Sequence, residues 1–112
     1  MKVYLHSLGC RLNQSEIEAL ACQFIQAGHT VVGDPAQADG CVVNTCAVTA
    51  EAERKSRHSL SALARANPRS HIAVTGCYAT LAPRTCASMP GVAWVFSNPE
   101  KGELVERMSL PV

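Results

Sequence analysis

Residues 41–46 read Cys-Val-Val-Asn-Thr-Cys. A strand with one wet face alternates apolar and polar side chains, and this run does not alternate at its start. It predicts a strand from Cys41 to Thr45 covered on both faces, as in a parallel sheet between helices. The flanking segments agree. Lys2 to Leu8 carries Val3, Tyr4, Leu5 and Leu8 and is stopped by Gly9, the pattern of a first strand. Asn13-Gln14-Ser15-Glu16 reads as a capping box with Asn13 as N-cap. Ile17, Leu20, Ala21, Phe24 and Ile25 follow at helical spacing, and Gly28 ends the helix. Thr30 to Gly33 is a short second strand, and Asp34 to Asp39 a turn or a single helical turn. Downstream, a long helix runs from Ala50 to Ala66. Its early Glu51 and Glu53 and late Arg65 suit the helix dipole, and Asn67-Pro68 ends it. Ser70 to Thr75 is a fourth strand, Thr80 to Met89 a Pro-containing helical piece, Val92 to Phe96 a fifth strand and Glu100 to Met108 a last helix. Strand–helix alternation of this kind predicts a mostly parallel five-stranded sheet with helices on both faces. One link resists: about six residues join the second and third strands, where parallel crossovers usually need ~12.

The chain has 112 residues and a mass of 11.9 kDa, the size of one domain. A hydrophobic fraction of 47% with 17% charged residues excludes compositional disorder and coiled coil. No apolar run reaches the ~18 residues of a bilayer span, and the first residues show no secretory pattern, so neither membrane nor export is expected. The net charge of +1 is not that of a nucleic-acid-binding polycation, and DNA is not an expected partner. The charge is unevenly placed, however. Arg54 to His71 holds five Lys or Arg, two His and no acid, a run suited either to RNA phosphates or to a solvated helix face. Five aromatics in the whole chain argue against base stacking. His6, His29, His58 and His71 show no metal-ligand pairing.

Three of the six cysteines share a setting. Cys10 follows the first predicted strand, Cys46 the third and Cys77 the fourth, each before a helix. Strand C-terminal ends in an open parallel sheet lie along one edge, where ligands collect near the switch in strand order. Residues separated by 35 and 30 intervening positions can therefore converge there. Gly9 and Gly76 let backbone approach a bulky group, and helix N-termini favour a net-negative one. Three thiolates fit a [4Fe–4S] cluster with one open iron. Structural zinc usually takes four ligands, often from C-x-x-C knuckles that this chain lacks. Buried inert cysteine is the third reading. Cys22, Cys41 and Cys86 sit at no strand end and read as small core hydrophobes. A phosphate site at Gly9 and Asn13 would need a denser glycine pattern.

Three blocks carry a resemblance: Gly9-Cys10-Arg11-Leu12-Asn13-Gln14-Ser15-Glu16, then Val42 to Arg57 (Val-Val-Asn-Thr-Cys-Ala-Val-Thr-Ala-Glu-Ala-Glu-Arg-Lys-Ser-Arg), then Val74-Thr75-Gly76-Cys77-Tyr78-Ala79. In this order they resemble the N-terminal domain of the radical-SAM methylthiotransferases, and the likeness extends over the tail Gly91 to Phe96 and Asn98 to Lys101. The resemblance implies a three-layer flavodoxin-like domain over residues 1–112, with strand order 2-1-3-4-5. It implies an auxiliary [4Fe–4S] cluster on Cys10, Cys46 and Cys77, with Asn13, Asn44, Thr45 and Tyr78 lining the cofactor. It further implies a sulfur-handling role in a cytoplasmic enzyme that adds a methylthio group to an adenosine derivative beside the tRNA anticodon. The wording is most like the branch acting on threonylcarbamoyladenosine at position 37. S-adenosylmethionine and a second [4Fe–4S] cluster belong in that family to a C-x-x-x-C-x-x-C domain, and RNA grip to a further one. No C-x-x-x-C-x-x-C occurs in this chain. The radical-SAM partner is therefore expected in cis or in trans, and this chain alone is not expected to complete the transfer. Thr80 stands where the family often has Gln, and Ser97 where Gly is common. The rival expectation is a cluster-free flavodoxin-like fragment that acts by docking.

Overall fold

A computed structural model describes residues 2–8, 11–45, 49–68, 70–97 and 103–109, those at 11–14 and 109 by backbone alone. Five strands, β1 (Lys2–Ser7), β2 (Thr30–Val32), β3 (Gly40–Thr45), β4 (His71–Gly76) and β5 (Val92–Val95), form one sheet in the order β2-β1-β3-β4-β5. Every pairing is parallel. Helices α1 (Arg11–Gln26) and α5 (Leu104–Ser109) cover one face. Helices α2 (Ala50–Ala66), α3 (Cys77–Leu81) and α4 (Pro83–Ala87) cover the other. This is the three-layer flavodoxin-like arrangement expected from the sequence.

Each layer follows from side-chain period. β3 is buried along its whole length, as its unbroken apolar start requires. Its Val42 joins Val3, Ala73, Ile17, Leu20 and Phe24 on the α1/α5 face. Val43 and Cys41 join Ile72, Val74, Leu60 and Leu63 on the α2 face. The α2 helix starts where Thr49 accepts a hydrogen bond from the Ala52 N–H at 3.0 Å. It ends at Asn67, whose N–H donates to Leu63 O.

The short link between β2 and β3 resolves physically. β2 is only three residues long, so the return to the start of β3 descends roughly 10 Å. A single 3₁₀ turn (Pro35–Gln37), capped by the Asp34 carboxylate on the Ala36 N–H, covers that distance. Asp39 then fastens the return to β1, its N–H donating to Lys2 O at 2.7 Å.

Several expectations need correction. α1 begins at Arg11, so Asn13 lies in its first turn and is not the N-cap. The piece from Thr80 to Met89 is two short helices that start earlier, at Cys77, and break at Ala82, because Pro83 cannot continue a helix. Cys22 is exposed rather than in the core: two positions beyond buried Leu20 it points to the opposite side of α1. No helix among the described residues is long and apolar enough to cross a membrane.

Candidate functional site at the strand ends

The chain leaves β1 toward β2 on one side, then returns past β1 to β3, so strand order reverses between β1 and β3. In open parallel sheets ligands collect at the strand C-terminal ends beside such a reversal. The register there is specific: Ser7 stands opposite Asn44, and Asn44 opposite Thr75. Strands lie ~4.8 Å apart, so these three residues make one row about 10 Å long. Alternation from Leu5, Val42 and Ala73 turns all three side chains to the α1/α5 face.

The row is tightly tied. Leu8 N–H donates to Asn44 O at 2.9 Å, and the Thr45 hydroxyl donates to Thr75 O at 2.6 Å. Gly76 ends β4 with φ +97°, and a Cβ there would clash with Thr45 O, 2.6 Å from Asn44 Oδ1 and 2.7 Å from Thr45 N. Only glycine lets β4 end flush against β3. Thr80 Oγ1 donates back to Gly76 O at 2.9 Å.

Of the predicted ligands, Cys77 is half-buried and opens α3 directly after Gly76. Cys10 and Cys46 lie outside the described residues. Among the described residues no group of three His, Cys, Asp or Glu is placed to hold a metal ion. Asn44 and Thr45 are fully buried. The Tyr78 ring is buried in the core under α2, and its hydroxyl has no hydrogen-bond partner among the described residues. Burial pushes that hydroxyl up, with the Cys86 thiol and Glu53 adding to the effect and Arg57 opposing it. The side chain of Asn13 lies outside the described residues.

The chemistry of the row suits an electron-rich inorganic group. Thr75 is fully buried, and its hydroxyl finds no partner among the described residues. A buried donor of this kind costs free energy unless an acceptor reaches it. Sulfide or thiolate sulfur at the strand ends is such an acceptor. The remaining cysteines differ in character. The Cys41 thiol lies 3.8 Å from Ser70 Oγ and is pushed up chiefly by burial. Burial, with Glu53 nearby, takes Cys86 to about 11. Both read as inert core thiols.

Two features of this edge were not found from the sequence. Ser7 joins the row through register alone, which no local pattern encodes. Leu8 with Arg54, Lys55, His58 and Ser59 lines an open groove on the α2 side of the same edge.

The family model described as "Uncharacterized protein family UPF0004" matches residues 2–97. A threonylcarbamoyladenosine tRNA methylthiotransferase MtaB of Aquifex aeolicus (strain VF5) is 41% identical over 106 residues, covering 95% of this chain and 26% of the relative. A tRNA-2-methylthio-N(6)-dimethylallyladenosine synthase of Dehalococcoides mccartyi is 35% identical over 119 residues, covering 97% of this chain and 28% of that protein. The chain thus spans about a quarter of these relatives' length. Among solved structures, a protein assigned to pilus assembly (CpaE) of Burkholderia thailandensis E264 superposes with a TM-score of 0.65 at 20% identity, covering 96% of this chain and 94% of that one. That likeness concerns the fold alone.

Proposed function

The chain belongs to the UPF0004 family, as the N-terminal domain of the methylthiotransferases, and we propose that it is the auxiliary cluster-binding, sulfur-handling part of a tRNA-modifying enzyme. One observation carries the reading. Three adjacent strand ends, Ser7, Asn44 and Thr75, stand in register, and each is followed within three residues by a motif cysteine. Cys10, Cys46 and Cys77 would hold a [4Fe–4S] cluster. When bound, such a cluster supplies an iron with one open coordination position at which a sulfur donor is held.

The chain's own residues give that site its shape. Thr75 Oγ1 offers a donor to sulfur, and Asn44 brings a buried amide to the same row. Thr45 ties β3 to β4, and Gly76 allows the close approach of the two strands immediately before Cys77. Tyr78, next in sequence to Cys77, is buried in the core on the α2 side, and Asn13 stands in the first turn of α1. Residues 1–112 form this one cytoplasmic domain. The C-x-x-x-C-x-x-C domain that uses S-adenosylmethionine acts with it in cis or in trans. The tRNA substrate carries the adenosine to be modified, and the MtaB relatives favour threonylcarbamoyladenosine at position 37.

Anaerobic reconstitution with iron and sulfide, followed by iron quantitation and Mössbauer spectroscopy, tests the reading. About four irons per chain in a cubane signature are expected. Cys46→Ala is expected to abolish uptake while leaving the far-UV circular dichroism intact. Stoichiometric zinc, or no iron after anaerobic loading, would leave the cluster-free docking fragment in its place.

A further inference from the structure

We propose that Thr75 sets the reduction potential of the strand-end site, its hydroxyl donating one hydrogen bond to sulfur held there; the proposal rests on the reading of this domain as the cluster-binding part of its enzyme. Three threonines meet at the end of β4, and two of them direct their hydroxyls to its backbone. Thr45 Oγ1 donates to Thr75 O at 2.6 Å, and Thr80 Oγ1 donates to Gly76 O at 2.9 Å. Thr75 differs. Its side chain is 0% exposed, and its Oγ1 has no hydrogen-bond partner among the described residues.

Strand packing does not account for that hydroxyl. A β-branched side chain suits the pleat, but valine supplies nearly the same shape without a polar atom. β3 and β4 use valine in this way at Val42, Val43 and Val74, all fully buried. A buried hydroxyl without an acceptor costs free energy that valine would avoid. The Thr75 Oγ1 therefore reads as one half of a hydrogen bond whose other half comes with a ligand.

Location names the acceptor. Thr75 is paired in register with Asn44 and stands two residues before Cys77, and Asn44 stands two residues before Cys46. The carbonyls of Thr75 and Gly76 already accept from Thr45 and Thr80. The acceptor that the cysteines bring to this edge is sulfur, as thiolate or sulfide. A hydrogen bond draws negative charge off such a sulfur and makes the group easier to reduce. Favouring the reduced state about ten-fold corresponds to ~59 mV for a one-electron couple.

Redox titration of the anaerobically reconstituted full chain, read by electron paramagnetic resonance, tests the proposal. Thr75→Val keeps the shape and removes the donor. It is expected to take up iron at the native level and to lower the midpoint potential by ~59 mV, a ten-fold loss of the reduced form at the native midpoint. Thr75→Ser, which keeps the donor, is expected to restore most of that shift. The iron-free chain gives a second reading. There Thr75→Val is expected to raise the urea midpoint by removing an unsatisfied donor, and Thr45→Val to lower it by breaking the bond to Thr75 O. A native potential in loaded Thr75→Val overturns the role of Thr75 and leaves the cluster reading standing. So does a lower urea midpoint for iron-free Thr75→Val, the mark of a merely structural hydroxyl. If Thr75→Val loses iron, native uptake by Thr75→Ser supports the hydroxyl's role, and loss in both overturns it. A native chain that takes up no iron overturns the cluster reading itself, and this proposal with it.

Discussion

Gly76 is the residue on which the strand-end edge depends most. Its φ of +97° and the absence of room for a Cβ beside Thr45 act together. Gly76→Ala meets both a left-handed backbone penalty of ~1–2 kcal/mol and a clash against backbone atoms of β3. Urea unfolding of this variant is expected to show a loss of at least about 2 kcal/mol, with β3 and β4 prised apart at their ends. The thiols offer a second check. Cys86 is held to about 11, above its ordinary 9.0, mainly by burial. The folded state then keeps a proton that the unfolded state gives up, so stability is complete below pH 9 and declines as pH rises from 9 toward 11. The urea midpoint of the native sequence is expected to fall over that window, and that of Cys86→Ala to fall less steeply. Iodoacetamide with peptide mapping is expected to label exposed Cys22 in the native state and Cys41 and Cys86 only after unfolding. Native-state labelling of Cys86 at the rate of Cys22 would contradict its placement in the core.

At the level of elements, α2 is set by its two ends. Thr49 caps one, and Thr49→Ala is expected to cost about 1 kcal/mol. At the other, the Asn67 amide donates to Ala38 O at 2.8 Å and so binds the helix end to the 3₁₀ turn that carries the β2–β3 return. Asn67→Ala leaves that carbonyl unsatisfied, and a loss of about 1–2 kcal/mol is expected by thermal or urea unfolding. These elements also show what could be read from sequence. α2 was legible at both bounds because Glu51, Glu53 and Asn67-Pro68 are local signals. β3 was legible because an unbroken apolar run has few structural homes. The helix after β1 was misplaced at its start: Asn13 and Glu16 mimic a capping box, yet Arg11 and Leu12 are good helix formers and extend α1 backwards. The candidate site was legible where a topological rule sufficed, since strand ends of a parallel sheet share an edge and that rule singled out Cys77 at the end of β4. It was illegible where register decides, as for Ser7, or where packing of α2 against the end of β1 decides, as for Leu8.

The molecule as a whole has two apolar cores separated by one sheet. Phe24, Leu20 and Leu104 pack on one face, and Leu60, Leu63 and Tyr78 on the other. Each strand of the central three serves both: Val42 and Val43 are neighbours in β3 yet belong to opposite cores. Neither core can therefore dissolve without removing the floor of the other, and unfolding is expected to be a single transition, as for most domains of this size. The lone tryptophan reports on this. Trp94 packs against the α1/α5 core and meets the His71 ring edge-on at 5.9 Å, far from α2 in the layer order. Leu60→Ala removes buried side-chain volume on the opposite, α2 face and is expected to cost ~2–5 kcal/mol. In urea, its Trp94 fluorescence transition is expected to move to lower denaturant by the same amount as its far-UV circular dichroism transition. If the fluorescence midpoint stayed at the native value while the dichroism midpoint fell, the two faces would be independent units, and the sheet would not couple the groove on α2 to the row of strand ends beneath α1.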